Sequence, residues 1–251
     1  YQCEKSWESF KVRYQCPRPP IKYRSNVSGV ELVLPRTEHM KSSIFGEKYL
    51  FHFHTDFTDG KVSIPEYFQF AVESGISRLI FLEHIRRVPS YFVDVFVDQI
   101  DRCSKMYGLS YSLGFEAKLL ANGNLDISEE NIEMADVIGM AEHGSLLNLS
   151  QTKKALYQAI EEYSHLTQTK EVVWVHPGLF LKKHNLLSDE ADWYSEALQY
   201  AIKKGLRIEY NLKYRLISME ARANLCQDVV VVGSDAHTFA DLTNWLNLLQ
   251  A

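Results

Sequence analysis

The residues with the clearest chemical potential are His52-Phe53-His54, followed by Thr55-Asp56-Phe57-Thr58-Asp59-Gly60. They come directly after the apolar run Tyr49-Leu50-Phe51. In an extended chain, residues i and i+2 point to the same side, so a strand continued to residue 54 would aim both imidazoles at one point. Imidazole nitrogen with the carboxylate of Asp59 makes a donor set suited to zinc, iron and similar cations. Thr58-Asp59-Gly60 reads as a tight turn leading into a helix. An H-x-H pair alone is common and usually structural. Its meaning depends on whether the rest of the chain delivers more donors to the same place.

The elements that would do so follow a regular rhythm. Strands are expected at Tyr49 to His54, Ser77 to Glu83, Ser110 to Glu116, Val137 to Ala141, Val172 to Val175, Leu206 to Tyr210 and Val229 to Val232. Helical periodicity falls between them. Ile64 to Ser74 has Ser63 as N-cap, Pro65 in its first turn and Gly75 as its stop. Tyr91 to Tyr107, Ile127 to Met134, Thr152 to Leu166, Asp189 to Lys204, Arg215 to Leu225 and Phe239 to Leu249 follow. The strand runs are short and continuously apolar, as expected of parallel strands buried on both faces. No G-x-G-x-x-G follows any of them, which speaks against a nucleotide-binding doubly wound sheet. The expected fold is therefore α/β, a distorted seven-stranded TIM-like barrel whose site lies at the C-terminal ends of its strands.

That geometry gathers the donors. His52 and His54 end strand one, with Asp59 in the loop beyond. His84 ends strand two, Glu116 strand three, His143 strand four and His176 strand five. Asp235 and His237 follow strand seven. Six of the nine histidines fall in this set. Imidazoles and carboxylates converging on one rim need compensating charge, and divalent metal ions supply it. Zinc, manganese and iron all suit the mixture. Arg86 and Arg87 after strand two and Arg215 after strand six are candidates for binding an anionic substrate. Lys118, Lys182, Lys183 and Lys213 lie in neighbouring loops. Tyr91, Phe92 and Phe96 could stack bases, though their spacing reads better as core packing.

With 46% hydrophobic and 24% charged residues, the composition is that of a globular domain. A net charge of −5 argues against long nucleic acid or a membrane surface as partner. No apolar run is long enough to span a bilayer, and no secretory leader is read at the start. Cys3, Cys16, Cys103 and Cys226 form no C-x-x-C pair, which favours a cytoplasmic setting. Residues 1–48 read as an N-terminal extension, broken by Pro17, Pro19, Pro20 and Pro35, with a possible strand at Val30 to Leu34. Residues 49–251 read as the catalytic domain.

In the order of its motifs the chain resembles the polymerase and histidinol phosphatase, or PHP, superfamily. His52-x-His54 with Thr58-Asp59-Gly60, Glu83-His84, His143 and Asp235-Ala236-His237 carry the resemblance. Gly114-Phe115-Glu116, His176-Pro177-Gly178 and Glu209-Tyr210-Asn211 fit its remaining strand ends. The likeness runs from residue 49 to about 245. It implies two to three divalent metals. His52, His54, Glu116 and Asp235 would hold the first, Glu116, His143 and His176 the second, and Asp59, His84 and His237 the third. It also implies hydrolysis of a small phosphate monoester by a metal-bridging hydroxide, with Asp235 or His237 handling protons. Glu83, where many members have Asp, is expected to matter little. The rival expectations are a phosphodiesterase or nuclease, and a domain that mainly scaffolds a partner.

Overall fold

The computed structural model describes residues 44–45, 48–142, 148–217 and 229–250. His143, the possible strand at Val30 to Leu34 and nearly all of the N-terminal extension lie outside them. So does most of the helix expected from Arg215; residues 215–217 are not helical.

Nine strands are described: β1 Tyr49–Phe51, β2 Arg78–Ile80, β3 Glu83–Ile85, β4 Ser110–Ser112, β5 Gly114–Lys118, β6 Val137–Ala141, β7 Glu171–Trp174, β8 Arg207–Asn211 and β9 Val230–Gly233. All their pairings are parallel. They form a three-stranded sheet, β1-β2-β4, and a six-stranded sheet, β3-β5-β6-β7-β8-β9. Among the described residues seven α-helices accompany them: α1 Ile64–Ser74, α2 Val93–Tyr107, α3 Glu129–Met134, α4 Leu149–Tyr163, α5 Leu179–Lys183, α6 Ala191–Lys203 and α7 Phe239–Gln250. Among the described residues no helix is long and apolar enough to cross a membrane.

The single seven-stranded barrel expected from the rhythm is thus drawn as two sheets. Its second strand breaks into β2 and β3 at Phe81-Leu82, and its third into β4 and β5 at Leu113. Each interrupted strand passes from one sheet to the other. At that crossover Phe81 N donates to Ser112 O at 3.0 Å. A Cβ on Gly114 would lie 2.4 Å from Phe81 O, so only glycine lets the two strands approach there. On the far side, Ser234 N bonds Phe51 O at 3.0 Å and His54 N bonds Ala236 O at 2.9 Å. Phe53 and Ala236 form an isolated parallel bridge. These contacts set the end of β1 beside the end of β9.

Helix boundaries follow local chemistry. α1 starts where Ser63 N donates to Glu66 Oε2 at 2.8 Å and stops at Gly75, φ 67°. α2 ends at Gly108, φ 66°. The central strands are buried on both faces, and alternate side chains join two apolar clusters. Ile138, Met140, Val172 and Trp174 join Phe96, Ile100 and Leu156 under the helices. Val137, Ala141, Val173 and Val175 face the other way, with Phe51, Ile80, Leu82 and Val231.

Leu82 shows how tight this second cluster is. Its methyl groups lie 2.7 and 3.2 Å from where a Cβ on Gly139 would be, and 3.0 Å from one on Gly114. Leu82→Ala should cost about 2–5 kcal/mol by leaving a cavity, and Gly139→Ala about 1–3 kcal/mol by overpacking. The double substitution should cost less than the sum, since each relieves the other. Urea unfolding of the four proteins measures this, and strict additivity would contradict the packing described.

Candidate metal centre

The donors named from the sequence converge, although not by a straight strand. β1 ends at Phe51, and His52 has φ 60°. His176 and Asp235 also sit at positive φ, 31° and 49°. Each such non-glycine residue costs on the order of 1–3 kcal/mol and persists only where its surroundings over-determine it.

Among the described residues three groups of donors result, each with its ligand atoms within 4.8 Å of one another. The first is His52, His54 and Asp235. Asp235 Oδ1 lies 3.2 Å from His54 Nε2 and 3.5 Å from His52 Nε2. The second is His52, Glu116 and His176, with Glu116 Oε1 3.2 Å from His176 Nε2. The third is His54, Asp59, His84 and His237, where Asp59 Oδ1 is 3.5 Å from Nε2 of both His84 and His237. Glu116 joins the groups. Its Oε2 lies 3.3 Å from His52 Nε2, His54 Nε2 and His84 Nδ1, while Oε1 faces His176.

The register explains part of this convergence, since His84 pairs with Glu116 across β3 and β5. Burial grades across the site. His52, His54, Glu116, His176 and Asp235 are all buried. The side chain of Asp59 is 61% exposed, and those of His84 and His237 about a quarter.

Electrostatics couple the groups. Burial would push Glu116 up, but bonds to His176 and His52 hold it well below the usual carboxylate range. Burial likewise opposes ionisation of Asp235, and His54 with the charge on His52 more than offsets it. Burial would lower His54, yet its contacts with Asp235 and Glu83 raise it to about 9. His52 is held well above 6.5, burial being outweighed by Glu209, Glu116 and Asp235. His84 moves down, through burial and the charge of His54. Anionic carboxylates in this number call for positive charge, which protons or a metal cation supply in competition. The nitrogen and oxygen donors fit zinc, manganese or iron.

Two further buried carboxylates set the imidazoles. Glu209 Oε1 accepts from His52 Nδ1 at 2.7 Å, which turns Nε2 toward the donors, and Glu209 Oε2 accepts from the backbone of His176. A Cβ on Gly233 would fall within 1.6 Å of Glu209 Oε1, so glycine is what admits this carboxylate. Glu83, expected to be unimportant, is fully buried. It accepts from Thr55 N at 2.7 Å, from Thr55 and Thr58 hydroxyls and from His84 N at 3.0 Å, and it lies 3.5 Å from His54 Nδ1. The correction has a simple cause, since a carboxylate inside an apolar strand end must be satisfied by many donors. Glu142 does the same for the loop after β7, accepting from Trp174 Nε1 at 2.9 Å and Gly178 N at 2.8 Å. A charged residue closing each apolar run was the signal for Glu83 and Glu142.

Of the arginines expected to bind substrate, the side chains of Arg86 and Arg215 have partners outside the donor groups, and Arg87 is bonded through its backbone. Arg86 bonds Ile85 O at 2.8 Å and lies 3.6 Å from Asp126, whose Oδ1 accepts from Arg87 N. Arg215 bonds Leu212 O at 3.3 Å and lines a cleft of 440 Å³ beside Trp245 of α7. Lys213 instead reaches Asp235. Phe96 is core, and Tyr91 packs on Phe57 and Phe96, whereas Phe92 is 76% exposed.

The PHP domain model matches residues 51–213. The chain belongs to the PHP domain family. No curated protein sequence matches it. Among solved structures, an amidohydrolase II has a TM-score of 0.50 at 13% identity, covering 81% of this chain and 91% of that one. A phospho-2-dehydro-3-deoxyheptonate aldolase from Thermotoga maritima has a TM-score of 0.39 at 12% identity, covering 82% and 69%. The amidohydrolase likeness bears on the fold alone, a TIM-barrel-like α/β fold with parallel sheets. The PHP match spans the donors from His52 to His176 and ends before Asp235.

Two outcomes follow for this PHP domain. Glu209→Ala should weaken metal binding roughly 10- to 100-fold with the fold retained, as read by metal titration and circular dichroism. His54 stabilises the metal-free protein fully below about 6.5, and that stabilisation is lost as pH rises through about 9. The thermal midpoint of chelator-treated protein should therefore fall between pH 7 and 9.5. Added manganese or zinc should flatten the fall, because it supplies the charge that the protons leave.

Proposed function

We propose that this PHP-family protein is a metal-dependent phosphoesterase acting on a small phosphate monoester. The observation that carries the reading is Glu116, which presents one oxygen to His176 and the other to His52, His54 and His84. A single buried carboxylate shared between adjacent donor groups is suited to holding two or three cations close together. Bound divalent metals would supply Lewis acidity toward phosphoryl oxygens and a water acidified toward neutrality.

The protein's own part is to place and hold. Glu209 accepts from the outer nitrogen of His52, which turns its Nε2 inward, and Glu83 stands 3.5 Å from the outer nitrogen of His54. Asp235 has Oδ1 near His54 and Oδ2 near Lys213, so it is a holding group rather than a proton carrier. His237 gives Nδ1 to Asp235 O at 2.9 Å. Its Nε2 faces Asp59 in the third donor group, so His237 too would hold rather than carry a proton. Asp59, His84 and His237 line the exposed side, from which a substrate would enter. His143, which the family resemblance assigns to the second metal, belongs to the same proposal.

A nuclease is the second reading, favoured by the exposure of Phe92 and Val88 on the loop after β3. Turnover of an aryl phosphate monoester and of the matching diester separates the two. His54→Ala and Asp235→Ala should each lower monoester turnover by at least a thousandfold, on the order of a lost catalytic metal, and reduce bound metal. Diester turnover alone would favour the nuclease. No turnover by fully metal-loaded protein would leave the scaffolding role.

A further inference from the structure

Of the cations in the strand-end loops, Lys213 has its ammonium on a donor of the candidate centre. Its Nζ lies 3.1 Å from Asp235 O and 3.3 Å from Asp235 Oδ2. The carboxylate divides its oxygens, Oδ1 toward His52 and His54 and Oδ2 toward Lys213. An ammonium has three N–H donors, and Asp235 accounts for two of them. The side chain is 35% exposed, so the third donor can turn to an incoming group.

The turn that carries Lys213 is anchored in the buried network. Asn211, itself buried, accepts from Lys213 N at 3.0 Å and Tyr214 N at 3.3 Å through Oδ1. Its Nδ2 donates to Glu209 Oε1 at 3.2 Å, and that same oxygen holds His52. Arg215 N closes the turn on Asn211 O at 2.8 Å. Tyr214 meets His176 edge-on at 6.0 Å between ring centroids. Lys213 and Lys182 sit 5.5 and 5.7 Å from the Tyr214 ring centroid. One buried amide thus ties an ammonium and an aromatic ring to the flank of the donor groups.

We propose that Lys213 is the residue that selects a dianionic phosphate, by giving its third donor to a terminal oxygen of the substrate. This rests on the phosphoesterase reading of the same site. A monoester carries roughly −1.5 to −2 charges at neutral pH and three terminal oxygens; a diester has one charge and two such oxygens. An ammonium fixed beside Asp235 supplies the additional counter-charge and donor that only the monoester can use. The guanidinium groups of Arg86 and Arg215 are not needed for this, since Arg86 lies against Asp126 and Arg215 bonds Leu212 O.

The test is calorimetric titration of metal-loaded protein with inorganic phosphate and with dimethyl phosphate, for wild type, Lys213→Met and Lys213→Arg at equal metal content. A charge-assisted hydrogen bond corresponds to roughly ten- to hundredfold in affinity. Lys213→Met should lose that much for inorganic phosphate and less than about threefold for dimethyl phosphate, while Lys213→Arg keeps most of it. If Lys213 only balanced the charge of Asp235, the variant would change metal uptake and leave phosphate binding at full metal untouched. Equal binding by Lys213→Met, or equal loss for both ligands, would overturn the assignment and leave the phosphoesterase reading standing. If wild type neither binds phosphate nor hydrolyses phosphate esters, that reading falls and the assignment falls with it.

Discussion

The site depends on one desolvated carboxylate. Glu116 is 3% exposed, and an anion so buried is tolerated only where positive charge and hydrogen-bond donors surround it. Four imidazoles from three strand ends, His52 and His54 after β1, His84 in β3 and His176 after β7, do so at 3.2–3.3 Å. These ends come from distant parts of the chain, so the carboxylate's demand for partners draws those parts to a common point. The parallel arrangement makes this possible. Every strand ends at the same rim, and successive loops arrive side by side.

Holding those groups requires backbone that the chain would not adopt freely. His52, His176 and Asp235 all sit at positive φ. The bonds that over-determine them converge on the same neighbours. Ser234 Oγ donates to His52 O at 2.6 Å, and Ser234 N donates to Phe51 O at 3.0 Å. Glu209 takes the side chain of His52 and the backbone N–H of His176. Gly233 leaves the space in which Glu209 lies. Strain at three donors is therefore offset by a short list of buried bonds, and that rigidity keeps the ligand atoms aimed.

Much of this was legible in the sequence, and the limits have physical causes. α1 could be read to the residue because Ser63, Pro65 and Gly75 are local signals. The donors could be read because each closes an apolar run. The strand breaks could not. Leu79-Ile80-Phe81-Leu82 is continuous in hydrophobicity, and what interrupts it is the crossover beside Gly114, a contact with another strand. The partners of the outer imidazole nitrogens were hidden for a similar reason, since His52 and Glu209 are separated by 157 positions. Cation surroundings were hidden as well. Proximity in sequence suggested Arg86 and Arg87; the guanidinium of Arg86 lies beside Asp126, and the same carboxylate takes the backbone N–H of Arg87.

The grading of burial has a consequence for how the three donor groups cooperate. The first two are sealed, while the third opens to solvent through Asp59. An exposed carboxylate on a turn is a poor ligand unless the turn is held, because ordering it costs conformational entropy. Glu83 does the holding, since Thr55 and Thr58 both bond to it within the turn that leads to Asp59. The same carboxylate stands 3.5 Å from His54 Nδ1, and His54 belongs to both the first and the third group. Glu83 thus holds the turn that carries the exposed donor while standing beside a buried imidazole of the same group. The open group is built as an extension of the sealed ones, which is how a solvent-facing donor keeps the geometry of an interior one.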